Sequence, residues 1–228
     1  MKIYGLQKVT LLDYPGRVAC TVFLSGCDMC CPWCHNSELA EGSAPPVMTL
    51  EELLAFLRRR KGLLDGVAVT GGEPLLREEN LELLRRIRAE GYPVKLDTNG
   101  THPDRLRRAL EEDLAQYVAM DIKNSPERYA ETVGLAKFDP APVRESAALL
   151  MSGKTDYEFR TTAVRELHDA DSFRAIGAWV AGARRYFLQS FTDRETVAFR
   201  GFHAPAAEEM EAWAAILRET VREVSLRG

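Results

Sequence analysis

The chain has 228 residues, 46% of them hydrophobic and 28% charged, with a formal net charge of −4. This is the balance of an ordinary globular protein with enough chain for one sizeable core, and it leaves no basic footprint for nucleic acid. No apolar run reaches the ~20 residues of a membrane-spanning helix, and Met1-Lys2-Ile3-Tyr4-Gly5 lacks the apolar stretch of a secretory signal, so a reducing, cytoplasmic location is expected.

In chain order, Leu11-Leu12-Asp13-Tyr14-Pro15-Gly16 comes first, with Asp13 read as a turn residue and Arg17 as a solvated charge. Residues 18–24 form a β-rich apolar run, expected to be a buried strand that delivers the loop after Ser25-Gly26. That loop holds Cys27, Cys30, Cys31 and Cys34, four of the five cysteines. Cys27, Cys31 and Cys34 have the spacing C-x3-C-x2-C. Thiolates are soft ligands that select iron–sulfur clusters, zinc or Cu(I). A 4Fe–4S cluster normally takes four cysteines, so three would leave one iron open to a substrate or cofactor. Structural zinc is the competing reading, but the pairs Cys27/Cys30 and Cys31/Cys34 abut, which suits a tetrahedral site poorly. A disulfide framework fits badly with an odd cysteine count. Cys20, inside the apolar run, reads as a small core residue. Cys30 either competes as a ligand or points away, and His35 either tunes the cluster or orders the loop.

A linker over 41–46 leads to Thr49 and Glu52, a capping box that starts a helix running to about 60, with Gly62 as its stop. The basic run Arg58-Arg59-Arg60-Lys61 reads as a solvated helix end. A second buried strand over 67–70 ends in Gly71-Gly72-Glu73-Pro74, where two glycines allow the backbone close to a ligand and Glu73 adds a carboxylate. A helix over 78–90, a strand over 94–98, a helix over 103–113 and a strand over 117–123 follow, with Asp97 and Asp121 near the strand ends. Helical segments over 126–133 and 142–151 precede a strand over 157–164, a helix over 171–181 and a strand over 186–191. An amphipathic helix over 206–224, with Met210, Trp213, Ile216 and Leu217 inward, closes the chain. His102, His168 and His203 fall in polar stretches and are expected at the surface. No nucleophile triad or phosphate loop stands out. Six strands alternating with helices argue for a parallel α/β sheet in a single domain over 1–228, and are too few for an eightfold barrel.

The cysteine spacing, with aromatic Trp33 just before the last cysteine, resembles the signature of the radical S-adenosylmethionine (SAM) enzymes. Leu11-Leu12-Asp13-Tyr14-Pro15-Gly16 and Cys34-His35-Asn36 sharpen it to the activating enzymes of glycyl-radical proteins, above all those of anaerobic ribonucleoside-triphosphate reductase. The likeness covers about residues 5–191 and implies an α/β fold, an open partial (βα)6 barrel with mostly parallel strands, while the closing helix over 206–224 carries no motif of it. It implies a 4Fe–4S cluster on Cys27, Cys31 and Cys34, SAM on the open iron, and an electron from flavodoxin or ferredoxin. The product would be a glycyl radical on a partner enzyme, with no nucleic acid or membrane involved.

Carried over residue by residue, Gly71, Gly72 and Glu73 would hold the SAM ammonium, Asp97 the ribose or methionine part, and Lys123 the carboxylate side. Thr98, Arg160, Thr162 and Gln189 are further pocket candidates, and Trp33 would pack near the adenine. Asp13 falls in the segment that approaches the partner's glycine loop. Asp13, Asp97, Thr98 and Asp121 are also candidate oxygen ligands for a monovalent cation beside SAM. The pyruvate formate-lyase type of activase carries an adenosine-contacting histidine where this chain has Ser190 and Phe191, a departure from the pattern. The alternatives are an activase of another glycyl-radical enzyme, a small-molecule radical SAM enzyme such as a 7-carboxy-7-deazaguanine synthase, and a non-catalytic cysteine–metal module.

Overall fold

The computed structural model describes residues 1–197 and 199–227. The chain forms two compact units: Met1–Asp28 with Asn36–Thr98 and His102–Val118, and Met29–His35 with Asn99–Thr101 and Ala119–Gly228.

In the first unit, β1 (Lys2–Ile3) pairs with β4 (Met48–Thr49), and β2 (Gly5–Thr10) runs antiparallel to β3 (Ala19–Leu24). β5 (Gly66–Gly71) lies parallel to β3, and β6 (Val94–Thr98) parallel to β5, giving the order β2-β3-β5-β6. The strands form where the apolar runs fall: Val22, Val67, Val69, Val94 and Leu96 are fully buried, as expected of strands covered on both faces. The helices are α1 (Ser37–Glu41), α2 (Leu50–Arg59), α3 (Asn80–Ala89) and α4 (Pro103–Glu111). α2 starts at the expected capping box: Glu52 N–H donates to Thr49 Oγ1 (3.3 Å), and Thr49 N–H to the Glu52 carboxylate (2.7 Å). Its buried face, Leu53, Leu54 and Leu57, recurs at helical spacing.

β7 (Tyr117–Asp121) begins in the first unit and ends in the second. The second unit then adds α5 (Tyr129–Thr132), α6 (Ala141–Ser152), β8 (Asp156–Ala163), α7 (Ala170–Trp179), β9 (Arg185–Ser190), α8 (Ala207–Arg218) and β10 (Glu223–Arg227). The strand order here is β7-β8-β9-β10, with β8, β9 and β10 parallel. The class is therefore α/β with mostly parallel strands, as expected, and no closed barrel forms among the described residues. No described helix is long and apolar enough to cross a membrane.

The C-terminal expectation is corrected. The helix over 206–224 stops at Arg218, and Val224 belongs to β10, which pairs with β9 from Glu223↔Arg185 to Arg227↔Gln189. Thr220, Val221 and Val224 are β-branched, which disfavours helix and favours strand. Met210, Trp213 and Leu217 are buried as expected, with Trp213 stacked on Phe173 (5.0 Å), while Ile216 is half-buried. Cys20 is fully buried.

Candidate functional site

In the first unit, β3 runs out at Leu24 and the chain turns at Gly26, whose φ of +95° is left-handed. Gly26 N–H donates to Leu39 O (2.8 Å) and Cys27 N–H to Ala40 O (3.1 Å), so the loop leans on α1. β5 ends beside it: Gly72 N–H donates to Leu24 O (3.0 Å) and Glu73 N–H to Gly26 O (2.8 Å). A Cβ on Gly71 would lie 2.1 Å from Leu24 O, and one on Gly72 2.1 Å from Gly26 O. The close approach that these glycines permit is thus made to the chain's own backbone, at the root of the cysteine loop.

Glu73 is 1% exposed, and its carboxylate accepts from Leu75 N–H and Thr98 Oγ1, each at 2.8 Å. Neutral donors offset the cost of burying a carboxylate, and they bring Glu73 and Thr98 together. Asp97 is half-buried and bonded by buried Lys95 (2.5 Å), two residues back on the same strand face. Asp13 accepts from Thr21 Oγ1 (2.5 Å) on β3. Asn36, just past the cysteine loop, donates to Gly71 O (3.4 Å).

In the second unit, Cys30 is exposed, while Cys31 and Cys34 are half-buried and share a turn in which Cys34 N–H donates to Cys31 O (3.0 Å). Burial pushes the Cys31 thiol up to about 11, against the pull of the Lys123 ammonium. Trp33 is buried with Val164, Leu167, Phe191 and Val197. Lys123 Nζ stands 5.2 Å from the Trp33 ring centroid, within cation–π range. Lys123 and Arg160 each hold one oxygen of Asp121 at 2.9 Å. Burial opposes the charge on Asp121, but Arg160 and Lys123 outweigh it and hold the carboxyl far below the usual range. Burial likewise opposes the charge on Lys123, and Asp121 outweighs it, so the ammonium stays protonated. Arg160 and Thr162 share one face of β8, and Thr162 pairs in register with Gln189 of β9.

His35 orders the loop: its Nε2 lies 2.7 Å from Thr192 O, and its ring stacks on Phe191 (5.4 Å, 9°). His168 corrects the expectation of a surface residue. It is 4% exposed, Val164 N–H donates to its Nδ1 (3.1 Å), and its Nε2 donates to Lys123 O (2.8 Å). Burial keeps its pKa below the ordinary histidine value, against the raising effect of those bonds. The sequence offers only a faint sign of this, apolar Val164 and Leu167 on either side. His203 is exposed and His102 half-buried.

No cysteine forms a disulfide among the described residues. Neither unit by itself gathers three His, Cys, Asp or Glu side chains into a metal group among those residues, Cys27 counting with the first unit and Cys31 and Cys34 with the second.

The family model described as the radical SAM superfamily matches residues 21–176. A Methanocaldococcus jannaschii protein, provisionally designated a glycyl-radical enzyme activating enzyme, is 28% identical over 235 residues, 99% of this chain and 95% of its own. A 7-carboxy-7-deazaguanine synthase of Koribacter versatilis is 28% identical over 157 residues, 68% of this chain and 65% of its own. Among solved structures, a domain of a pyruvate-formate lyase-activating enzyme from Bacteroides vulgatus aligns with a TM-score of 0.58 at 15% identity, over 72% of this chain and 99% of that one, a likeness of fold.

Proposed function

The chain belongs to the radical SAM superfamily, and from that premise we propose that it is an activating enzyme that places a glycyl radical on a partner, an anaerobic ribonucleoside-triphosphate reductase. The observation that carries the reading is the backbone bond from Glu73 to Gly26, which makes the root of the cysteine loop and the buried carboxylate turn one unit. The end-to-end match to the M. jannaschii protein favours an activase over a deazaguanine synthase, whose match covers less of both chains. That match and the family model both run through the two compact units, which supports treating 1–228 as one radical SAM domain.

The donor set fits the implied cluster: Cys27, Cys31 and Cys34 are soft thiols on one loop, none in a disulfide. When bound, the cluster and SAM would supply one-electron reductive chemistry able to remove a hydrogen atom from a glycine Cα. The chain's own part is to bind, orient and insulate. Glu73, fixed by Thr98 and the Leu75 amide, offers a carboxylate to the SAM ammonium beside Gly71 and Gly72. Lys123 and Arg160, cationic and held by Asp121, suit the SAM carboxylate. By the same family resemblance Asp97 in the first unit, and Thr162, Gln189 and Trp33 in the second, are further proposed SAM contacts. A monovalent cation at Asp13, Asp97, Thr98 and Asp121 would have to displace Lys95 from Asp97, and Lys123 and Arg160 from Asp121.

We place the reaction in the cytoplasm, with reduced flavodoxin or ferredoxin as electron donor. Leu11 and Leu12, 70% and 90% exposed in the segment that holds Asp13, give the partner protein an apolar foothold. The test is 5′-deoxyadenosine formation by the anaerobically reconstituted protein with SAM and dithionite, followed by radical detection on added reductase. Product and radical together support the proposal. Product without a radical on any glycyl-radical enzyme, but with turnover of a pterin, supports the deazaguanine-synthase reading. Zinc without iron, and no product, returns the chain to a metal-binding module.

A further inference from the structure

α5 ends in a left-handed glycine, Gly134, with φ of +69°. Gly134 N–H donates to Glu131 O (3.2 Å) and Leu135 N–H to Ala130 O (3.0 Å), the paired bonds of a Schellman turn. The turn leaves the carbonyls of Thr132 and Val133 to partners outside the helix, as the last carbonyls of any helix must be. The cysteine loop takes both. Cys30 N–H donates to Val133 O (2.9 Å), and the Trp33 indole N–H donates to Thr132 O (3.1 Å). Gly134 lies flat against the same loop: a Cβ there would be 2.3 Å from Cys30 O and 3.5 Å from Pro32 Cδ. A side chain at 134 is thus opposed twice, by backbone conformation and by space.

The helix end is itself tied down. Asn124, fully buried, donates to Thr132 Oγ1 and to Leu167 O, both at 2.8 Å. Lys123 N–H donates to Tyr129 OH (3.2 Å) at the other end of α5. The helix therefore joins the segment that carries Lys123 to the loop that carries the cysteines.

We infer that the turn 132–134 is the seat of the second half of the cysteine loop, a set of positioning residues for Cys31 and Cys34. Each of these two cysteines directly follows a residue bonded to the seat, Cys30 and Trp33 respectively. Cys30, an exposed residue, acts through its backbone amide. This rests on the cluster reading for its purpose, but not for its test.

The experiment is iodoacetamide labelling of the metal-free, folded full chain at one pH, with peptide mapping of each cysteine, beside chelator-driven iron loss from the reconstituted protein. Cys20, fully buried in the first unit, is the internal control. In Gly134→Ala, labelling of Cys31 and Cys34 and the rate of iron loss should rise about tenfold or more, with Cys20 still shielded. Trp33→Phe keeps an aromatic ring in the buried cluster but removes the donor to Thr132 O along with some volume, and should raise both rates about fivefold. Wild-type rates at Cys31 and Cys34 in both variants would overturn the inference. If Gly134→Ala exposes Cys20 as well, it has unfolded, and Trp33→Phe decides alone: faster Cys31 and Cys34 labelling with Cys20 shielded supports the seat, and unchanged rates overturn it. A wild-type chain that takes up no iron sinks the radical SAM proposal, while the labelling still decides the seat.

Discussion

The cysteine loop is held at its two ends by different means. At its root, the end of β5 meets the end of β3 backbone to backbone, through Gly71 and Gly72. Further on, the end of a short helix offers two spare carbonyls, one taken by a main-chain amide and one by an indole. Each contact has a glycine at its closest point, Gly72 at 2.1 Å and Gly134 at 2.3 Å for the missing Cβ. The first glycine lies in the continuation of a sheet, so an error there reaches the strand register. The second lies in a turn of its own, so an error there reaches the loop. Fold and site are one object at the first anchor and separable at the second.

The cysteines give the largest effect. Cys27→Ala, Cys31→Ala and Cys34→Ala should each abolish 5′-deoxyadenosine formation and remove most of the iron, whichever anchor lies nearer. Cys30→Ala should keep both, because its backbone bond to Val133 O survives the substitution. Loss of activity in Cys30→Ala would mean that its thiol, and not only its amide, is used.

Gly72→Ala should cost about 3 kcal/mol or more, since the added carbon meets a backbone oxygen that cannot move without the strand. Gly182→Ala, left-handed but with nothing within 4 Å, should cost only about 1 kcal/mol. Denaturant midpoints compare the two, and equal costs would show that the backbone contact at Gly72 relaxes and does not set the need for glycine at the first anchor.

Asp121→Asn leaves Lys123 and Arg160 facing each other without their shared carboxylate. For this partly exposed group a loss of about 2 kcal/mol is expected. Because Lys123 N–H is bonded to Tyr129 OH, iron should also leave faster than from wild type if the second anchor depends on that segment.

His168 supplies the smallest effect, and it depends on pH. Its pKa is held below the ~6.5 of an exposed histidine, so the unfolded chain takes up the proton first. The stability it contributes is intact above about pH 6.5 and is lost as the pH falls from there toward the folded value. The slope is at most about 1.4 kcal/mol per pH unit. His168→Gln does not titrate, and should melt with a flatter profile between about pH 7 and 5. Parallel profiles would show that burial does not hold the His168 pKa down.

Much of this was legible in the sequence. β3, β5, β6, β7, β8 and β9 are apolar runs ended by glycine or a polar cluster, and α2 announces itself through Thr49 and Glu52. The cysteine spacing and Gly71-Gly72-Glu73 were visible as letters. β2 was not, because an antiparallel edge strand with exposed Gln7 and Lys8 has no buried alternation to show. β10 was hidden because Val221 and Val224 continue the three- and four-residue spacing of Met210, Trp213 and Leu217 in the helix before them. The burial of His168 depends on where Lys123 O ends up, which no local pattern encodes. The second anchor was invisible for a simpler reason: its acceptors are main-chain carbonyls, and every residue has one.

Trp33 belongs to both the loop and its support, and this gives the protein an optical gauge of its own metal content. The chain has three tryptophans, and only this one is covalently next to a cysteine of the C-x3-C-x2-C triad. Iron–sulfur chromophores absorb where indoles emit, so the fluorescence of Trp33 should dim as the loop fills and return as it empties. Trp213, on α8 and stacked on Phe173 of α7, and Trp179, beneath Arg144, supply the background to be removed by substitution with phenylalanine. In such a chain, loading and loss of the cluster could be followed in real time without adding a label.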